Sequence, residues 1–298
     1  MITLKSIQEG KEPDQGVGYL QVNQKGGQRC AAADAGLRPA KSRKNLTIKT
    51  GAQALKGVVE NQRAIGVSSA TDGGAQIVRA RNEVILSAGS IGTPQLLMLS
   101  GSRFWEKGIG NDQDLVGRYA VSHPVLAVAG TKPKNEERWI QEFDFPSLMS
   151  RTYDTEQYQQ NGKIFLMKFA GLPNVDIAKH MIAGKSRSQI DDIVTGPRQV
   201  QLSAFMEETG QYANRFSLGE GTTRFGLPRT KIDFTLPPDF QERANKNLDL
   251  MEAVIRQMGY TVDKKTDRKI GDQDGHHTSA TCRMGKAACW SSSARGRR

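Results

Sequence analysis

The stretch NEVILSAGSIGTPQLLMLSG, Asn82 to Gly101, decides how this chain is read. Glu83 to Ser87 is a short apolar run closed by small residues, the pattern of a strand buried on both faces. Ser87, Ala88 and Gly89 follow, and their absent or tiny side chains let another group approach the backbone closely. A helix comes next, with Thr93 placed to cap, Pro94 suited to the first helical position, and Gly101 placed to close it. Tight packing of helix on strand is the competing physical account of the same small residues.

Working outward, strand-like runs precede this segment. VGYLQV (17–22) stands alone, whereas NLTIKT, LKGVVE, RAIGVSS and AQIVRA fill residues 45–80, with the turn signal TDGG at 71–74. That rhythm predicts a β-meander leading into the buried strand. Downstream, strands are expected over 125–129, 163–169 and 200–205. The strongest helix spans 239–258, where Phe240, Ala244, Leu248, Met251, Ile255 and Met258 recur at spacings of three and four. Asp239 and Glu242 are placed for a capping box, and Gly259 for a stop.

The length of 298 residues allows about two domains. Lys and Arg number 42 against 31 acids, a net +11, yet four of the cations sit in the last 13 residues, leaving +7 on residues 1–285. The remainder are interleaved with acids, so a solvated surface is expected and nucleic acid is not an expected partner. No apolar run reaches the roughly 18 residues of a membrane span, and MITLKSIQEG has no apolar leader, so the chain as given reads as cytoplasmic. Cys30, Cys282 and Cys289 form neither a CxxC pair nor a metal spacing; reduced thiols and no metal site are expected. The chain holds no G-x-G-x-x-G phosphate cradle, no Walker A, no G-x-S-x-G elbow and no H-E-x-x-H.

Asn82 to Gly101 closely resembles the second signature of the glucose–methanol–choline (GMC) oxidoreductases, FAD-dependent enzymes that oxidise alcohol groups. Other stretches agree in the family's order. Residues 25–67 are similar to the segment leading to that signature, including an arginine followed by Asn-Leu-Thr (Arg43 to Thr47). DLVGRYAVSHP (114–124) resembles the family's VGRNLxDHP turn, with Tyr119 for the usual Asn and Ser122 for the usual Asp. RFGLPRTKIDF (224–234) is similar to the sugar and polyol branch. HHTSATCRMG (276–285) resembles HxxGTCRMG, with Ala280 for a Gly.

The resemblance implies an α+β fragment of an α/β flavoprotein: part of a Rossmann-like FAD-binding domain and an antiparallel-sheet substrate domain. By that account residues 1–124 are a partial FAD-binding domain without its phosphate-binding unit, and 125–270 the substrate domain. Residues 271–285 return to the FAD-binding domain, and 286–298 form an aberrant basic tail such as a change of reading frame after Gly285 would produce. Ala54, Ala88, Gly89 and His123 are the implied FAD contacts. No catalytic residue is assigned, because the family's His pair lies past the CRMG motif and neither His276 nor His277 aligns with it. The implied reaction moves hydride from a small alcohol or sugar to the flavin, with an external electron acceptor unspecified and a partner subunit left open. The chain by itself is expected to be inactive. A non-catalytic remnant or sugar-binding module is the alternative, and a basic nucleic-acid binder a more distant one.

Overall fold

The computed structural model describes residues 16–20, 22–26, 28–133, 148–153, 156–170, 179–195, 197–265 and 276–283. The basic tail and Cys289 lie outside them. The chain divides into two compact units. One comprises residues 1–22, 123–208 and 236–276, the other 23–122, 209–235 and 277–298. Residues 209–235, placed in the second domain on sequence, therefore cluster with the first half of the chain.

The first unit is an antiparallel sheet with one long helix on it. The strands run in the order Val17–Tyr19, Leu148–Ser150, Ile164–Ala170, Arg198–Met206, Val125–Lys132 and Thr261–Lys265. Along Val125–Lys132 burial alternates residue by residue, so Leu126 and Val128 enter the core, as period-two geometry requires. Helix Phe240–Gln257 lays Phe240, Ala244, Leu248, Met251 and Ile255 against this face, so the spacing seen in the sequence is the buried stripe. Gly130 allows the close approach: a Cβ there would stand 2.6 Å from Ile255 Cγ2.

The ends of this helix are settled by different means. At the C-terminus Gly259 takes φ +82°, Gly259 N–H bonds Arg256 O at 3.0 Å and Tyr260 N–H bonds Ile255 O at 3.2 Å, a Schellman closure. At the N-terminus the expected capping box does not form. Asp239 instead accepts from Arg243 Nε at 3.0 Å, and Glu242 pairs with Lys246 at 2.8 Å, because each acid has a cation one turn on. Asn247, buried inside the stripe, donates to Asn161 O at 2.8 Å and Gly162 O at 3.0 Å.

The second unit contains the predicted meander: Gln53–Glu60, Arg63–Thr71 and Gly74–Arg79, antiparallel throughout. Its first turn is Asn61-Gln62, both at positive φ, as a two-residue hairpin demands. A second ribbon pairs Arg215–Thr222 with Pro228–Asp233. Helix Gly89–Leu99 packs on the strand Gln53–Glu60, where Gly57 N–H donates to Ser100 Oγ at 2.7 Å.

Three local expectations are overturned here. Residues 83–87 and 46–50 form no strand and join no ladder among the described residues, and Ile85 is 77% exposed. An apolar run becomes a buried strand only when neighbours hydrogen-bond both edges. The helix also begins at Gly89, not Pro94, so Thr93 and Pro94 lie inside it. Finally, Gly101 follows the C-terminal cap Ser100 but does not take the left-handed φ of a glycine closure.

Leu248 is fully buried at the centre of the first unit's core. Leu248→Ala is expected to destabilise that unit by about 2–5 kcal/mol, read as a lower midpoint in urea unfolding.

Candidate functional site

Pro94 supplies the starting point. Its ring carries no N–H, so the carbonyl of Ser90, four residues earlier, loses its helical partner. Thr281, 191 residues further along the chain and buried, fills the gap: its hydroxyl donates to Ser90 O at 2.6 Å. The Thr281 carbonyl in turn accepts from Gly117 N–H at 2.8 Å. Thus three of the stretches that carry the sequence signals meet inside the second unit, through Ser90, Gly117 and Thr281. Ser90 and Thr281 were not singled out from sequence, and Pro94 was named there only as a helix start. The available signal was a proline inside a helix, which orphans a carbonyl.

Gly117 is required on two counts. Its φ is +86°, and a Cβ would fall 2.0 Å from Phe216 O, since Gly117 O also accepts from Phe216 N–H at 2.9 Å. Around it the backbone is unusual. Asp114, Tyr119, His277 and Ala280 all take φ between 54° and 68°, the left-handed region. Such positions cost about 1–3 kcal/mol and gather at functional sites. Two of them coincide with departures from the family pattern: Tyr119 stands where Asn is usual and Ala280 where Gly is usual, the residues that enter this region most cheaply.

A charge cluster braces the same turn. Asp114 bonds the Arg118 guanidinium and meets Arg215 Nη2 at 3.2 Å. Burial alone would raise the Asp114 carboxyl, but the hydrogen bonds and charges of Arg118 and Arg215 outweigh it and hold the group below its ordinary value. Arg118 also stacks 4.0 Å from the Tyr212 ring centre, and Arg283 lies 4.9 Å from that of Tyr119. Cys282 beside them is half-buried, and burial pushes its thiol up despite a Thr281 hydrogen bond. It therefore stays protonated at neutral pH, unsuited to nucleophilic work. No group of three His, Cys, Asp or Glu that could hold a metal occurs among the described residues.

The residues named from sequence fall as follows. Ala54 is half-buried on the first meander strand, opposite Ser69 and at a bulge. Ala88 and Gly89 are exposed at the helix start, where no side chain caps and Thr93 Oγ accepts from Ala88 N–H at 3.2 Å. Gly89 takes φ +77° and a Cβ there would meet nothing within 4 Å. His123 belongs to the first unit, half-buried, with Nδ1 3.1 Å from Met206 O and its ring 6.0 Å from Phe205.

Residues 2–125 match the family model of the GMC oxidoreductases. An oxygen-dependent choline dehydrogenase of Sinorhizobium medicae is 37% identical over a 304-residue alignment covering 91% of this chain and 54% of that protein. An alcohol dehydrogenase [acceptor] of Pseudomonas putida is 44% identical over 117 residues, 37% of this chain and 21% of its own. Among solved structures, pyridoxine 4-oxidase from Mesorbium loti superposes with a TM-score of 0.56 at 20% identity, covering 92% of this chain and 55% of that one. An FAD-dependent oxidoreductase from Chaetomium thermophilum gives 0.52 at 16% identity, covering 85% and 52%. This chain thus spans about half the length of that choline dehydrogenase. Over residues 2–125 it matches the GMC oxidoreductase family, and its fold is similar to an α+β part of that flavoprotein architecture.

Two measurements check the geometry. Thr281→Val should leave Ser90 O unsatisfied and lower stability by about 1–3 kcal/mol, while Thr281→Ser should not. Adding Pro94→Ala to Thr281→Val restores an N–H donor, so the double variant should recover part of the loss in a urea-unfolding cycle. The Asp114 pKa is depressed on folding, so its contribution is present above the unfolded value, roughly pH 4, and fades as pH falls through the folded value. Asp114→Asn should therefore lower the melting temperature at pH 7, with the gap to the parent closing as pH falls through the folded value.

Proposed function

We propose that this chain serves an FAD-dependent oxidoreductase acting on CH–OH groups, with a small alcohol, polyol or sugar as donor. The observation that carries the reading is the convergence of three family motifs on Thr281, in a chain whose residues 2–125 match the GMC oxidoreductase family. In this reading the first unit's sheet and long helix form the substrate domain, and residues up to 124 with 271–285 the FAD-binding domain. The polyol or sugar preference rests on the resemblance of Arg224 to Phe234 to that branch.

The residues present fit the adenylate end of FAD. Ala88 and Gly89 offer an exposed, uncapped helix start with open space over Gly89, and Ala54 offers a small side chain on the strand against which that helix packs. These contacts would be made by backbone and by smallness, so Ala54, Ala88 and Gly89 orient the nucleotide without taking part in chemistry. His123 is the further proposed contact on the cofactor. FAD, when bound, supplies the hydride acceptor. No side chain of this chain is assigned as the base that takes the hydroxyl proton.

The pyrophosphate is a different matter, because no glycine-rich cradle exists in these 298 residues. The chain alone should therefore bind FAD weakly and turn over no donor. Titration of the purified chain with ADP and with FAD, followed by flavin fluorescence and calorimetry, tests this. Similar weak affinities for the two are expected, reduced at least fivefold by Ala88→Trp. Unchanged binding in Ala88→Trp would remove the helix start from the site. Bleaching of a bound flavin by choline, a primary alcohol or a polyol would overturn the inactivity.

A further inference from the structure

Residues 179–192 of the first unit form a corner whose construction is at odds with its surface. The first helical turn closes with Gly184 at φ +74°, Gly184 N–H on Met181 O at 3.0 Å and Lys185 N–H on His180 O at 3.1 Å. This is the paired bonding of a Schellman stop. The next helix, Arg187–Thr195, opens at once with a reciprocal cap: Ser186 N–H donates to Gln189 Oε1 at 2.9 Å, and Gln189 N–H to Ser186 Oγ at 3.3 Å. Stop and start are both fixed by local hydrogen bonds, so the side chains of the corner are held where they are displayed.

What it displays is apolar. Ile182 is 87% exposed and Met181 64%, two adjacent large side chains in the last turn before the stop. Three cations lie close by in sequence: Lys179, Lys185 and Arg187 fall between residues 179 and 190, followed by Asp191 and Asp192. Lys185 and Arg187 are exposed, and Arg187 reaches Asp191 only at 3.9 Å. No helix among the described residues is long and apolar enough to cross a membrane.

We propose that this corner is a docking point for an anionic lipid surface, with Met181 and Ile182 entering the headgroup–acyl boundary and Lys185 and Arg187 meeting the phosphates. An exposed apolar pair with cations within five residues on both sides in the chain matches such a surface in both respects, since the acyl region accepts the side chains and the negative surface potential attracts the charges. A neutral membrane satisfies only the first, and nucleic acid only the second. The inference is independent of flavin binding, so its outcome does not depend on the proposed enzymatic reading.

The test is sedimentation of the full 298-residue chain with vesicles of phosphatidylcholine alone and of phosphatidylcholine with an equal share of phosphatidylglycerol. Binding is expected to the anionic vesicles, at least tenfold tighter than to neutral ones, and falling as salt rises from 50 to 500 mM. Met181→Asp with Ile182→Asp should reduce it at least tenfold, and Lys185→Glu with Arg187→Glu comparably. These positions are exposed, so unchanged far-ultraviolet dichroism is expected in every variant. Binding that survives both pairs of substitutions would overturn the proposal, assigning the attraction to the basic residues past 285. So would equal affinity for neutral and anionic vesicles. Self-association without lipid, lost in the Asp variants, would assign the corner to a second copy of the chain instead.

Discussion

A missing hydrogen organises the second unit. Because Pro94 cannot donate to Ser90 O, a helix that would otherwise be self-sufficient carries an unsatisfied carbonyl at its first turn. Thr281 supplies the donor, and the same residue's carbonyl holds Gly117. The two bonds bring a segment from near the end of the described chain against segments 160 to 190 residues earlier. The cost of ordering such a distant segment is offset by pairing a half-buried orphan, a group whose desolvation is expensive in isolation.

That junction explains why so much left-handed backbone collects nearby. Gly117 must admit Phe216 O at a distance no Cβ allows, and the flanking Asp114 and Tyr119 follow the same tight path. Asp114 is then positioned between the guanidinium groups of Arg118 and Arg215, Arg118 also stacks on Tyr212, and Tyr119 receives Arg283. Charge, stacking and strain here are consequences of one close backbone crossing. None of them needs to be read as a separate catalytic device, in keeping with a protonated Cys282 and a site whose chemistry a cofactor would supply.

The first unit is organised by a simpler principle. A sheet with alternating burial and a helix with a stripe at three and four residues have complementary faces, and Gly130 sets how near they come. The elements most legible in the sequence belong here, because their periodicity is itself the record of burial. The helix 240–257 and the strands around 125–132, 164–170 and 198–206 were visible for that reason. Its N-terminal cap was not: Asp239 and Glu242 have the spacing of a capping box, but Arg243 and Lys246 one turn on are equally well placed and take the carboxylates.

By itself the sequence determined the local alphabet of this protein: the meander, its turns, the amphipathic helix, and the motifs that mark the GMC oxidoreductase family. These depend on neighbours a few residues apart. Tertiary structure alone decided whether 83–87 would be a strand, since a ladder needs hydrogen-bonding partners that no local pattern supplies. It alone decided that Pro94 lies within a helix, and that Thr281 answers for it. Ala54, Ala88 and Gly89 could be named from resemblance, but their exposure and the open space at Gly89 became visible only once the helix start was built. The physical reason is common to all three: satisfaction of a buried or extended backbone group is a property of whatever comes to lie beside it, and a chain records that only at a distance.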